Sequence, residues 1–126
     1  MSRRSAGKIA EDAVATHLRS SGYSILERNY STPLGEIDIV ALDGDVVCFV
    51  EVRSRAGDSY GGAVEALPRS KQKRVARAAM AYMKAKRLDG AKVRFDFAAV
   101  EMPEEGEARV ELVKNAFWPR ELRSGI

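Results

Sequence analysis

Residues 35–55 read Gly-Glu-Ile-Asp-Ile-Val-Ala-Leu-Asp-Gly-Asp-Val-Val-Cys-Phe-Val-Glu-Val-Arg-Ser-Arg. Two apolar runs are joined by Asp43-Gly44-Asp45, and Asp-Gly between hydrophobic runs is a hairpin signal. The spacing predicts strands over 35–42 and 46–53. The second is almost continuously apolar, which implies burial on both faces near the centre of a sheet. Each run carries one acid where an apolar residue is expected, Asp38 in the first and Glu51 in the second. A buried carboxylate needs a partner, a metal or a proton. Strand alternation places Val47, Phe49, Glu51 and Arg53 on one face, and Glu36, Asp38 and Val40 on one face of the neighbouring strand.

Upstream, residues 6–20 are predicted to be a helix with Ser5 as N-cap and Gly22 as its stop. Ala6, Ala10, Ala13, Val14, His17 and Leu18 recur at helical spacing and form its apolar stripe. Glu11 sits on the border of that stripe. From there it can reach over a sheet edge, although a solvated glutamate favoured by the helix dipole is the simpler reading. A strand is expected over 23–29, anchored by Ile25 and Leu26 and broken by Ser31-Thr32-Pro33.

Downstream, residues 54–67 have loop composition, with Gly57, Tyr60, Gly61 and Gly62. They lack the Gly-Lys-Ser/Thr of a phosphate loop. Residues 68–87 are predicted as a second helix, with Pro68 in its first turn and Val75, Ala78, Ala79, Tyr82 and Met83 as its apolar face. Lys71 projects to the inward side with Gln72 beside it. No acid lies between Arg69 and Arg87. A basic helix of this kind serves nucleic acid or a membrane surface. Its apolar back is rich in alanine and lacks Trp and Phe, which favours docking on a sheet. Arg69, Lys71, Gln72, Lys73, Arg74 and Arg77 are therefore the candidate nucleic-acid contacts. A strand is expected from Val93 to about Val100, then an acidic turn over 103–106 and an edge strand over 108–113. Phe117 and Trp118 are expected to cap the core. The order helix, three strands, helix, two strands predicts an α/β protein with a mixed sheet between helices, in one domain over residues 1–126.

Composition narrows the chemistry. The chain has 126 residues, 45% of them hydrophobic, and a net charge of +3. No apolar run approaches the ~20 residues of a membrane span, and Arg3-Arg4 is not followed by a signal region. These features predict a soluble protein of the reducing cytoplasm, without a membrane partner. The single cysteine, Cys48, and the single histidine, His17, both read as core residues. A disulfide framework, a cysteine or histidine zinc site and a Ser-His-Asp triad are excluded. Oxygen chemistry remains, through Glu11, Asp38 and Glu51. Two carboxylates on adjacent strands, with the Val52 carbonyl, suit Mg²⁺, which takes one or two carboxylates and keeps waters or substrate phosphate. Arg53 follows Glu51 on the same face and can stabilise charge on phosphate. The competing reading is an Asp38/Glu51–Arg53 ion-pair cluster that only fixes strand register.

At these residues the chain resembles a known superfamily. Gly35-Glu36-Ile37-Asp38-Ile39-Val40, a turn, and Phe49-Val50-Glu51-Val52-Arg53 resemble the PD-(D/E)XK nuclease motif. The whole chain is similar to the YraN-like proteins, a largely uncharacterised bacterial family assigned as endonucleases. Gly7 with Glu11, Gly22-Tyr23, Arg28-Asn29, Lys71-Gln72, Arg94-Phe95-Asp96 and Asn115-Ala116-Phe117 extend the match over nearly the full length. The resemblance implies a restriction-endonuclease-like fold with a five-stranded sheet in the order αβββαββ. It implies a Mg²⁺ or Mn²⁺ site built on Asp38 and Glu51. Glu11 is similar to a helix-one glutamate that assists the metal in related Holliday-junction resolvases. Those resolvases work as dimers, so a homodimer is the corresponding expectation, although no segment reads as a dimer interface.

One departure matters. The motif expects lysine where this chain has Arg53, and arginine holds phosphate without being able to take a proton. Lys71 is the residue placed to substitute. The expected function is metal-dependent hydrolysis of phosphodiester bonds in DNA, including structured or branched DNA, with Asp38, Glu51, Arg53 and Lys71 as the catalytic set. The alternative is a nucleic-acid-binding module that keeps the fold without turnover.

Overall fold

The computed structural model describes residues 5–55 and 67–122. The Gly57–Tyr60–Gly62 loop expected from sequence lies largely outside the described residues. Helix α1 spans Ala6–Ser20, capped by the Ser5 hydroxyl, which accepts from the Lys8 amide at 3.2 Å. Its buried side is Ala10, Val14, Ala15 and Leu18. Ala6 is exposed and His17 only half-buried, so neither is the core residue the spacing suggested; the buried stripe is narrower than the apolar one.

Strand β1, Ser24–Thr32, runs past its predicted end at Asn29. Ser31 and Thr32 still pair with Glu36 and Gly35, which moves the break into the Pro33-Leu34 turn. Leu26 is 38% exposed rather than an anchor, because an irregularity between Ile25 and Glu27 turns it outward. Strands β2, Gly35–Asp43, and β3, Val46–Arg55, form the hairpin read from the sequence. Helix α2, Arg69–Ala85, follows, with Pro68 in the N-cap position rather than inside the first turn. Strands β4, Lys92–Glu101, and β5, Arg109–Val113, and a short 3₁₀ turn, Arg120–Leu122, complete the order.

The sheet order is β1-β2-β3-β4-β5, with β3 at the centre. The β3–β4 pair, joined through α2, is parallel, and the other pairs are antiparallel. This is the mixed five-stranded αβββαββ architecture expected, and it is consistent with a nuclease-like fold. The two helices cover opposite faces. Val14 and Leu18 of α1 pack with Ile39, Cys48, Val50 and Ala98. Val75, Ala79, Tyr82 and Met83 of α2 pack with Ile37, Val40, Phe49 and Phe95. Cys48 is a fully buried core residue, and burial pushes its thiol up to about 12. Phe117 and Trp118 close on Phe95 at 5.5 and 5.4 Å between ring centres, as expected. Among the described residues, no helix is long and apolar enough to cross a membrane.

Helix α2 lies very close to the start of β2. A Cβ on Gly35 would stand 1.9 Å from the Arg74 carbonyl oxygen. Only glycine permits this approach, and it brings the basic start of α2 over the acidic strand.

Candidate metal-binding and catalytic site

The β2–β3 ladder is regular from Asp43↔Val46 to Ile39↔Val50 and ends there. Beyond that point the two acids take over the bonding. The Asp38 amide donates to Glu51 Oε2 at 3.3 Å, and the Val52 amide donates to Asp38 Oδ2 at 2.8 Å. Two carboxylates thus hold the strands at the place where backbone pairing stops. Glu51 is 2% exposed, and its Oε1 is buried without a hydrogen-bond partner among the described residues. Lys71 Nζ stands 3.6 Å from that oxygen and 3.9 Å from Glu36 Oε1.

The electrostatics follow from this placement. Burial, and then the Asp38 charge, push Glu51 up to about 8, against the opposing pull of Lys71. Burial also raises Asp38, partly offset by the Val52 amide and Lys71. The surroundings supply too little positive charge to keep both carboxylates ionised at neutral pH.

Glu11 lies across a cavity of about 350 Å³ that Asp38, Asn29, Val52 and Ser54 also line. It is 7% exposed, and its Oε1 accepts from Arg28 Nε at 2.8 Å and Asn29 Nδ2 at 3.1 Å. Glu11 therefore reaches the sheet, and the solvated reading fails because these donors replace water. Arg28 also pairs closely with Asp12. A second cavity of about 240 Å³ lies by Glu51, Arg53, Lys71, Leu67 and Phe97. Val52 of β3 borders both cavities, so Asp38 opens toward α1 and Glu51 toward α2.

This corrects the alternation expected for Asp38. Val40 belongs to the α2 core, whereas Asp38 lines the cavity beneath α1. The cause is a fault in both strands. Arg28 and Asn29 are consecutive, yet both bond Glu11, and Asn29 has φ 53°. Its place in the register, between Arg28↔Ile39 and Tyr30↔Ile37, is opposite Asp38. Ile37 and Val40, three residues apart, both reach the α2 core across the same fault. Asparagine tolerates this left-handed conformation better than most residues. Arg28 and Asn29 hold Glu11 at the site but have no role in the sequence reading, where they appear only among the residues of the family resemblance.

The other candidates separate into two groups. Arg53 is exposed and makes no ion pair among the described residues, so the Asp38/Glu51–Arg53 cluster does not form. Lys71 is the cation beside the acids. Gln72 donates to the Leu67 carbonyl at 3.2 Å and accepts from Arg69 at 3.3 Å, and Arg69 also meets Glu121 at 3.4 Å. Those contacts use Arg69 and Gln72 to fasten the start of α2. Lys73, Arg74 and Arg77 are exposed on its outer side.

Among the described residues, no three His, Cys, Asp or Glu side chains converge into a set that could hold a metal ion alone. The donor chemistry still fits a hard divalent cation. Two raised carboxylates and one orphaned buried oxygen lie together, and Mg²⁺ completes such a shell with waters or phosphate. A profile described as "Uncharacterised protein family UPF0102" matches residues 10–100. The chain belongs to this family. A UPF0102 protein of Syntrophus aciditrophicus is 47% identical over 111 residues, covering 88% of this chain and 87% of the relative. Another, from Moorella thermoacetica, is 46% identical over 118 residues, covering 93% and 98%. A third, from Pelotomaculum thermopropionicum, is 43% identical over 116 residues, covering 91% and 97%. The UPF0102 match contains Glu11, Arg28, Asn29, Asp38, Glu51, Arg53 and Lys71.

Proposed function

We propose that this UPF0102 member is a metal-dependent endonuclease of the PD-(D/E)XK, YraN-like type, hydrolysing phosphodiester bonds in DNA. The observation that carries the reading is the orphaned, buried Glu51 Oε1 beside Asp38, where the β2–β3 ladder opens. A purely structural acid pair would be matched by fixed donors. This one has a single, partly exposed lysine as counter-charge and opens onto two cavities. Asp38 and Glu51 would hold Mg²⁺ or Mn²⁺, with Glu11, oriented by Arg28 and Asn29, supporting from across the cavity. When bound, the ion polarises a phosphoryl group and lowers the pKa of a bound water.

Lys71 supplies what Arg53 lacks, a cation beside Glu51, with Nζ 3.6 Å from Oε1. Arg53, exposed at the edge of the second cavity, is placed to hold phosphate. Lys73, Arg74 and Arg77 lie along one helix and give sequence-independent backbone contacts.

Calorimetric titration with Mg²⁺ or Mn²⁺, run beside cleavage of duplex, single-stranded, flap and four-way DNA, tests the proposal. Asp38→Ala is expected to abolish both metal binding and cutting. Failure of the wild type to cut any substrate, or equal cutting by Asp38→Ala, overturns it. The position of Arg53 favours a second reading, a nucleic-acid-binding module without turnover. That reading requires salt-dependent binding that survives Asp38→Ala and weakens when Arg74 and Arg77 are replaced.

A further inference from the structure

Among the described residues, Leu34 is the most exposed large apolar side chain, at 59%. A scattered exposed leucine is ordinary on a protein surface. This one differs in how it is held and where. It occupies the two-residue Pro33-Leu34 turn between β1 and β2, whose last pair is Thr32↔Gly35. The Thr32 hydroxyl accepts from the amides of Leu34 and Gly35 at 3.1 and 3.2 Å and donates to the Gly35 carbonyl at 3.2 Å. Proline fixes one φ, and Gly35 is pressed against the Arg74 carbonyl. The tip is therefore a stiff apolar point braced on the basic helix.

Its surroundings name a partner. Arg74 touches the turn through its backbone, and α2 carries no acid, with Lys73, Arg74 and Arg77 exposed. A polyanion drawn to the start of this helix comes up to the strand end that the turn leads into, because Gly35 lies against the Arg74 backbone. Leu34 immediately precedes β2, four residues before Asp38 in the chain. Apolar side chains held at such a point are used to wedge between base steps, most readily where stacking is already weak.

We infer that the Pro33-Leu34 turn is a wedge that enters a weakened base step. It directs this site to duplex DNA carrying a discontinuity (a bulge, nick or branch) rather than to continuous duplex. The inference rests on the nuclease reading above for its DNA partner. It adds a named side chain to that reading.

Fluorescence anisotropy on a continuous duplex and on the same duplex with a bulge tests it, with a fluorescent adenine analogue at the weakened step. The wild type is expected to bind the bulged duplex about ten-fold more tightly and to brighten the analogue on unstacking. Leu34→Ala is expected to bind continuous duplex as the wild type does, while losing the preference and the brightening. Leu34→Met is expected to restore both. If Leu34→Ala keeps the preference, the wedge is wrong while the nuclease reading stands. If the wild type binds neither duplex, both are overturned.

Discussion

Asp96 on β4 and Glu51 on β3, paired with the half-buried Asp38 of β2, are buried carboxylates within one sheet, and their surroundings treat them in opposite ways. Asp96 is 0% exposed and lies opposite Val50, one residue from Glu51 along the ladder. Its oxygens accept from Arg94 Nε and Nη2 at 2.8 and 2.9 Å and from the Asn115 amide at 2.8 Å. Arg94 is shared in turn with Asp43 at 3.1 Å and the Tyr23 hydroxyl at 2.9 Å. Burial disfavours the charged guanidinium, but the bonds to Asp96 outweigh it and hold Arg94 above its already high value. Glu51 has no comparable set. One oxygen is orphaned, the nearest acid repels it, and its cation is a partly exposed lysine 3.6 Å away. A carboxylate that serves the fold is closed with fixed donors, whereas one left short of positive charge is open to a ligand that brings it.

The largest effect should come from breaking the closed cluster. Asp96→Ala leaves Arg94 half-buried without its main counter-charge and removes the acceptor of the Asn115 amide. Removing one partner of such a pair costs about 3–5 kcal/mol. Urea unfolding of Asp96→Ala is expected to show a loss of that size, with any metal binding at Asp38 retained by the folded fraction. A loss no larger than an exposed ion pair's would remove the contrast.

The open cluster should respond with the opposite sign. Glu51 has a folded pKa of about 8 against an ordinary 4.5. Its contribution to stability is fully present below pH 4.5 and is lost as pH rises through about 8. Across that window the folded state holds a proton that the unfolded state has released. Stability from this group therefore falls by ~1 kcal/mol per pH unit. Glu51→Gln should remove that slope and leave the protein more stable by about 1–2 kcal/mol at the alkaline end. Mg²⁺ should stabilise the wild type there and not the variant. Denaturation curves at several pH values, with and without Mg²⁺, check all three outcomes. A less stable Glu51→Gln would make Glu51 a structural acid like Asp96.

The two clusters were not equally legible in the sequence. Asp38 and Glu51 stood out because each interrupts an apolar strand, and the hairpin between them is set by Asp43-Gly44-Asp45. Asp96 did not stand out. It alternates with Phe95 and Phe97 as an outward polar residue would, its partner Asn115 lies far off in the chain, and so do Asp43 and Tyr23, which share its other partner, Arg94. The fold was legible because alternation and helical spacing report which residues need burial. The site was legible only in its acids. The face of Asp38 depends on Asn29 adopting φ 53° in mid-strand, which no periodicity encodes. The place of Lys71 depends on Gly35 letting α2 approach, a contact between elements that sequence spacing does not measure. Arg53 was assigned the role of cation by its position two residues after Glu51. The structure leaves it exposed and fills that place from another element.

The smallest effect sharpens the comparison most finely. Lys71 is divided between Glu51 at 3.6 Å and Glu36 at 3.9 Å, and Glu36 is about half exposed. If Lys71 were fixed by Glu36 as Arg94 is by Asp96, removing the Glu36 charge would loosen the site and weaken ligand binding. If the site is open, Glu36 is only a screened surface charge, and it competes with phosphate for Lys71. Glu36→Gln should then change stability by no more than about 0.5 kcal/mol. It should strengthen DNA binding by roughly two-fold at low salt and have no effect in molar salt, where charges are screened beyond ~3 Å. Anisotropy titrations at the two salt levels decide between them. Weaker binding by Glu36→Gln would show Lys71 to be a closed structural cation, leaving Glu51 Oε1 as the sole mark of an open site.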